Sequence, residues 1–260
     1  MIRTVTATRY LTPLREGGSL PAIIEADDGE LYVLKFVGAG QGPKALIAEL
    51  VAGEIARTLD LRVPEIVFIN LDPVMGRSEP DQEIQDLLQA SAGLNLGLRY
   101  LPHTFAYNPL LKPPPDPLLA SAIVWFDAYV TNVDRTPRNV NILIWQEQLW
   151  LIDHGAALYF HHNWGDYLAS SRNPFPMIRE HALLPYAAQL LQTDRRLRAL
   201  LTPEVVQGIV DLVPAEWLNH DSPFQTPSEH RRAYVDYLLN RLETSHLFVE
   251  EAQRARRQLV

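Results

Sequence analysis

Residues 132–153 read Asn-Val-Asp-Arg-Thr-Pro-Arg-Asn-Val-Asn-Ile-Leu-Ile-Trp-Gln-Glu-Gln-Leu-Trp-Leu-Ile-Asp. Three oxygen-bearing side chains mark this stretch: Asp134, Asn139 five positions later, and Asp153 after a short apolar hairpin. Pro137 interrupts any helix across 132–139, so that part reads as a loop. One carboxylate to orient an attacking hydroxyl, with an amide and a second carboxylate to hold magnesium, is the layout of a phosphoryl-transfer site. Magnesium takes oxygen ligands and keeps several waters, so two protein ligands, Asn139 and Asp153, suffice. The plain alternative is an Asp/Asn-rich turn closed by its own side chains. The Asn-Ile-Leu-Ile strand and the Leu-Ile-Asp-His-Gly ending favour the first reading.

Upstream, residues 118–131 are apolar and long enough for a buried helix. Asp127 sits in it among Trp125, Phe126 and Tyr129 and reads as a structural support for the loop. Before that helix, residues 108–117 hold five prolines, which no helix or central strand continues through. This is the best boundary in the chain. Downstream, residues 161–180 look loop-like, and helical segments are expected near 181–200, 203–212 and 228–258.

The part before the prolines reads as strands plus one helix. Strands are expected at 21–26, 31–37, 66–70 and 96–101, a short helix near 83–89, and a longer one over 43–59. In the 31–37 strand, Leu31, Val33, Lys35 and Val37 share one face by alternation. A lysine on an apolar face needs a partner, unless it reaches water at a sheet edge. The helix offers Glu49, on a face of small residues with Ala45, Ala52, Gly53 and Ala56, and Glu54 near Ile47 and Val51. The helical wheel leaves both open. Gly17, Gly18 and Ser19 precede this hairpin, where a short glycine loop over phosphates would lie. Residues 38–45 resemble a P-loop but lack its Gly-Lys-Ser/Thr ending. His154, His161 and His162 lack the spacing of a zinc site.

The chain has 260 residues, is 47% hydrophobic and carries a net charge of −8. That size fits one large domain or two small lobes, and the acidity argues against nucleic acid. The absence of cysteine excludes disulfides and Cys-ligated zinc. No run approaches the roughly 18 apolar residues of a membrane helix, and no signal peptide is evident. A soluble cytoplasmic protein with no membrane partner is expected.

Two stretches resemble the HipA-like kinases of the protein-kinase-like superfamily. The first is Val33-Leu-Lys35-Phe with Glu49-Leu-Val-Ala-Gly-Glu-Ile-Ala56 and the following Leu61-Arg-Val63-Pro64. The second is Asn132-x-Asp134-Arg135-x3-Asn139 with Ile152-Asp153. The resemblance covers roughly residues 15–160. The resemblance selects Glu49 over Glu54 as the partner of Lys35. It implies Asp134 as catalytic base, Asn139 and Asp153 as magnesium ligands, and Lys35 on the ATP phosphates. Thr136, His154-Gly155 and the glycine loop depart from the family pattern. On this resemblance a short kinase-core form is expected, without the extra N-terminal domain of full-length HipA toxins, and an antitoxin partner stays open.

The expected protein is therefore an α+β, two-lobed protein-kinase-like enzyme, with a small β-rich N-lobe over 1–107 and a larger helical C-lobe over 108–260. It would use ATP and magnesium to phosphorylate a hydroxyl, foremost on a protein serine or threonine. The rival readings are a small-molecule kinase on the same fold and a nucleotide-binding module without activity.

Overall fold

Val5 and Ala7 point inward from β1 (Thr4–Pro13), a strand in which four threonines and Arg9 interrupt the apolar residues. In the computed structural model, which describes residues 2–14, 20–110, 113–219 and 222–259, this strand closes a barrel. β1 is not among the strands expected from the sequence, because few of its side chains are apolar and buried. It pairs antiparallel with β2 (Ala22–Ala26) and parallel with β4 (Ile66–Leu71). β3 (Leu31–Lys35) and β5 (Gly93–Arg99) complete the order β1-β2-β3-β5-β4.

Strand alternation divides the barrel's two faces. Ile24, Tyr32, Leu34, Val67 and Ile69 fill the interior. Gly97 also faces inward, where a Cβ would come within 2.3 Å of the Ile69 side chain. Leu96, Leu98 and Ile66 face outward against α1 (Pro43–Thr58). Ten residues of α1 from Leu46 to Ala56 are buried, as expected for a helix packed on both sides. Gly53 permits its close approach, since a Cβ there would meet Ile66 at 2.5 Å. A short helix, α2 (Gln82–Ala90), lies over the barrel's end through Ile84 and Leu88.

The remainder is mainly helical. β6 (Phe105–Ala106), β7 (Ile142–Trp145) and β8 (Gln148–Leu151) form a small antiparallel sheet. α3 (Pro117–Tyr129) runs through the centre, with all residues from Ala120 to Tyr129 buried. Asp116 caps it by accepting from the Leu118 and Leu119 amides, both at 2.9 Å. The helices α4 (Tyr167–Ser170), α5 (Leu190–Arg198), α6 (Pro203–Val210), α7 (Ala215–Leu218), α8 (Pro227–Glu243) and α9 (Ser245–Arg256) follow. One apolar cluster runs from α1 through α3 to α9, so α1 is packed into the helical part as well as onto the barrel.

The helical segments differ from expectation in three places. The expected helix over 181–200 forms only at α5, because Pro185 leaves a short 3-10 turn over Leu184–Tyr186. The long segment 228–258 breaks at Thr244, whose hydroxyl donates to the Asn240 carbonyl at 2.9 Å. α7 is an added single turn. No helix among the described residues is long and apolar enough to cross a membrane.

Candidate active site

Lys35 ends β3 on the outward face, and its ammonium lies between two carboxylates. Lys35 Nζ donates to Glu49 Oε2 at 2.6 Å and to Asp153 Oδ1 at 2.5 Å. Glu49 comes from the small-residue face of α1 and is wholly buried. Its carboxylate also accepts from the His154 amide at 2.8 Å and faces His154 Nδ1 at 3.1 Å. Glu54, the other candidate partner, lies 3.5 Å from Arg57. Burial alone would raise the Glu49 carboxyl, but Lys35 and His154 outweigh it and hold it well below the usual carboxylate range. Burial likewise disfavours the Lys35 ammonium, yet Glu49 and Asp153 hold its pKa well above the ordinary lysine value.

Asp153 follows β8 in the left-handed region at φ 56, a conformation that aspartate tolerates better than most residues. This turn sends successive side chains to the two ends of one ion pair, Asp153 to Lys35 and His154 to Glu49. Asp153 remains about half exposed, at 47%.

Asp134 and Asn139 meet across their loop. Asn139 Nδ2 donates to Asp134 Oδ2 at 2.7 Å, and Asn141 Nδ2 lies at 3.5 Å from the same oxygen. Asn141, in the left-handed region at φ 49, joins this loop to the Asp153 strand. Its carbonyl accepts from the Ile152 amide at 3.1 Å and from Arg135 Nη1. The two groups, Lys35-Glu49-Asp153 and Asp134-Asn139, thus meet through backbone. No direct contact joins Asn139 to Asp153 among the described residues. Gly17, Gly18 and Ser19 lie outside the described residues.

Beneath the loop is a buried hub. Asp127 Oδ1 accepts from Asn132 Nδ2 at 2.8 Å, and Oδ2 takes Arg135 Nε at 2.6 Å and His181 Nε2 at 2.8 Å. His181 Nδ1 in turn accepts the Leu183 amide at 3.0 Å, so the Nε2–H tautomer satisfies both ring nitrogens. Burial would raise Asp127, but Arg135 and His181 hold it well below the carboxylate range. The chain enters this loop through Thr131 at φ 52, and the Asn132 amide bonds back to the Asp127 carbonyl at 2.9 Å. A β-branched residue is strained there. The hub thus holds a costly turn immediately before Asp134.

His181 and Arg241 were not legible as site supports. Arg241 is fully buried and donates to the Ala128 and Tyr129 carbonyls at the end of α3, and to those of Ser171 and Asn173. A basic residue within a long helical pattern is the only sequence signal for it. The histidines 161 and 162 face Tyr234 and solvent, with His161 Nδ1 at 3.0 Å from the Tyr234 hydroxyl. Among the described residues, no cluster of three or more His, Cys, Asp or Glu side chains is placed to hold a metal. A divalent ion here would be held by few protein oxygens. Asn139 and Asp153 fit that: both are hard oxygen donors, and Asp153 Oδ2 has no hydrogen bond among the described residues.

The model of the HipA-like kinase family matches residues 8–251. The chain belongs to the HipA-like kinases. The match extends well past residue 160, where the motif resemblance faded. Solved structures share the fold of this HipA-like kinase. The proinflammatory kinase CtkA of Helicobacter pylori is 15% identical, with a TM-score of 0.61 over 96% of this chain and 99% of that one. The Golgi casein kinase with Mn/ADP bound is 12% identical, with a TM-score of 0.52 over 96% of this chain and 74% of that one. A second structure of the Golgi casein kinase is 13% identical, with a TM-score of 0.51 over 96% of this chain and 73% of that one. Comparison with curated protein sequences gives no match. A strand-rich N-terminal part and a helical C-terminal part make up this kinase.

Proposed function

We propose that this HipA-like kinase transfers the γ-phosphoryl group of ATP to the hydroxyl of a protein serine or threonine. The observation that carries the reading is the contact of Lys35 with both Glu49 and Asp153. It sets a charged donor beside the carboxylate that phosphoryl transfer needs for a metal. The division into an N-lobe over 1–107 and a C-lobe over 108–260 belongs to the same reading, with the site between them.

In this mechanism Lys35 grips the ATP phosphates, held in place by Glu49. Asp134 Oδ2 is engaged by Asn139, and Oδ1, without a hydrogen bond among the described residues, accepts the proton of the attacking hydroxyl. The hydroxyl oxygen bonds to the γ-phosphorus, the bond to the β-bridging oxygen breaks, and ADP leaves. Asn139 and Asp153 would hold magnesium, which when bound neutralises charge on the phosphates. The solved Golgi casein kinase with Mn/ADP bound supports a nucleotide and a divalent ion here. Positioning and electrostatics supply the rate, so the buried hub under Asp134 serves catalysis by fixing the loop.

Incubation with γ-labelled ATP, magnesium and separate protein and small-molecule hydroxyl acceptors tests the acceptor class. Label on serine or threonine of a protein is expected. Label confined to small molecules would replace the protein acceptor with a metabolite.

A further inference from the structure

We propose that His154 is a positioning residue that locks Glu49, and through it Lys35, in the phosphate-gripping arrangement; this rests on the kinase reading above. His154 is fully buried, and its ring packs edge-to-face with Phe126, the ring centres 5.7 Å apart. Packing alone would favour an aliphatic side chain there. The histidine instead carries a cost, because Nε2 is buried with no hydrogen-bond partner among the described residues. What it provides in return is at Nδ1. That atom lies 3.1 Å from Glu49 Oε1, which has no other hydrogen bond among the described residues.

An ionised carboxylate only accepts, so Nδ1 carries the hydrogen. Glu49 is then gripped at both oxygens: Oε1 by the ring, and Oε2 by the His154 amide and Lys35. Two donors from one residue fix the carboxylate plane as well as its position. Without the ring, Oε1 is an unpaired buried oxygen. The carboxylate would then turn toward Lys35 and draw the ammonium from its place. Because His154 follows Asp153, the same backbone segment sets the metal carboxylate and the lysine's counter-ion. α1 is thereby tied to the end of β8 and cannot swing away without stranding Glu49.

The test uses the full chain and three variants. Asparagine places an amide N–H near the position of Nδ1, glutamine reaches instead toward Nε2, and leucine only fills space. His154→Leu and His154→Gln should lower kcat roughly 10–100-fold, as for other residues that orient a site's ligands, with KM for the acceptor unchanged. His154→Asn should recover most of the lost rate. Nitrogen-15 NMR of the wild-type ring should show the Nδ1–H tautomer, which is read without any variant or activity. Wild-type kcat in His154→Leu, no recovery in His154→Asn, or an Nε2–H tautomer would each overturn the proposal. A wild-type chain that transfers no phosphate would instead count against the kinase reading, while the tautomer still decides the clamp.

Discussion

Lys35 Nζ lies 2.5 Å from Asp153 Oδ1, although the two residues are 118 positions apart in the chain. The barrel strand and the end of the β7–β8 hairpin therefore meet at a charge, with Glu49 closing the other side. Removing the lysine should strand a buried carboxylate. Lys35→Met is expected to abolish transfer and to destabilise the fold by about 3–5 kcal/mol, as for broken buried pairs. Urea unfolding checks this, and Lys35→Met with Glu49→Gln should cost less than the sum of the single changes.

Acid should weaken the fold through two buried carboxylates. Glu49 and Asp127 both have pKa values lowered on folding, from ordinary values of 4.5 and 3.8. Their contribution is fully present above those values and is lost as pH falls through the lower folded ones. Unfolding free energy should thus decline as pH drops below about 4.5, and Glu49→Gln should flatten part of that decline. Lys35 acts at the other end: its raised pKa contributes stability below 10.5 that is lost as pH climbs beyond it.

Asp127 on α3 and Asp134 on the loop that follows it should respond very differently to loss of charge. Asp127→Asn leaves the buried Arg135 guanidinium without its counter-charge and should cost about 3–5 kcal/mol. Asp134→Asn touches no ion pair among the described residues and should change stability by about 0.5 kcal/mol or less. Paired denaturation curves decide this. Equal losses would mean that Asp134 also supports the fold.

Arg241→Lys should be poorly tolerated. A guanidinium reaches four carbonyls, at Ala128, Tyr129, Ser171 and Asn173, and an ammonium has too few donors in the wrong geometry. Each carbonyl left unpaired costs about 1–3 kcal/mol. A fall in melting temperature with earlier proteolysis in the loop around Ser171 is the expected outcome.

The readable parts of the sequence were those governed by local periodicity. Alternation placed Lys35 on one apolar face of β3 with Leu31 and Val33, while the helical wheel left Glu49 and Glu54 open and only the family resemblance selected Glu49. The hairpin that ends at Asp153 showed in its apolar runs. β1 did not, because its buried apolar side chains are just Val5 and Ala7, with the part-buried Tyr10 packed against the same core. The ends of α1 and α3 lie within two residues of those expected from the sequence, although neither is followed by glycine. Asp60 and Thr131 take left-handed positions usually given to glycine. His181 reaches Asp127 across 54 residues, a contact that no spacing rule announces. The glycine loop over Gly17, Gly18 and Ser19 lies outside the described residues.

The most direct test of phosphoryl transfer is incubation with γ-labelled and α-labelled ATP in magnesium, comparing wild type with Asp134→Ala. The account predicts label on a hydroxyl acceptor from γ-labelled ATP only. That label should be lost by roughly 10²–10⁴-fold in the variant, as for removal of a general base, while calorimetry still shows nucleotide binding. Transfer of the α-label, or wild-type transfer by Asp134→Ala, would contradict it.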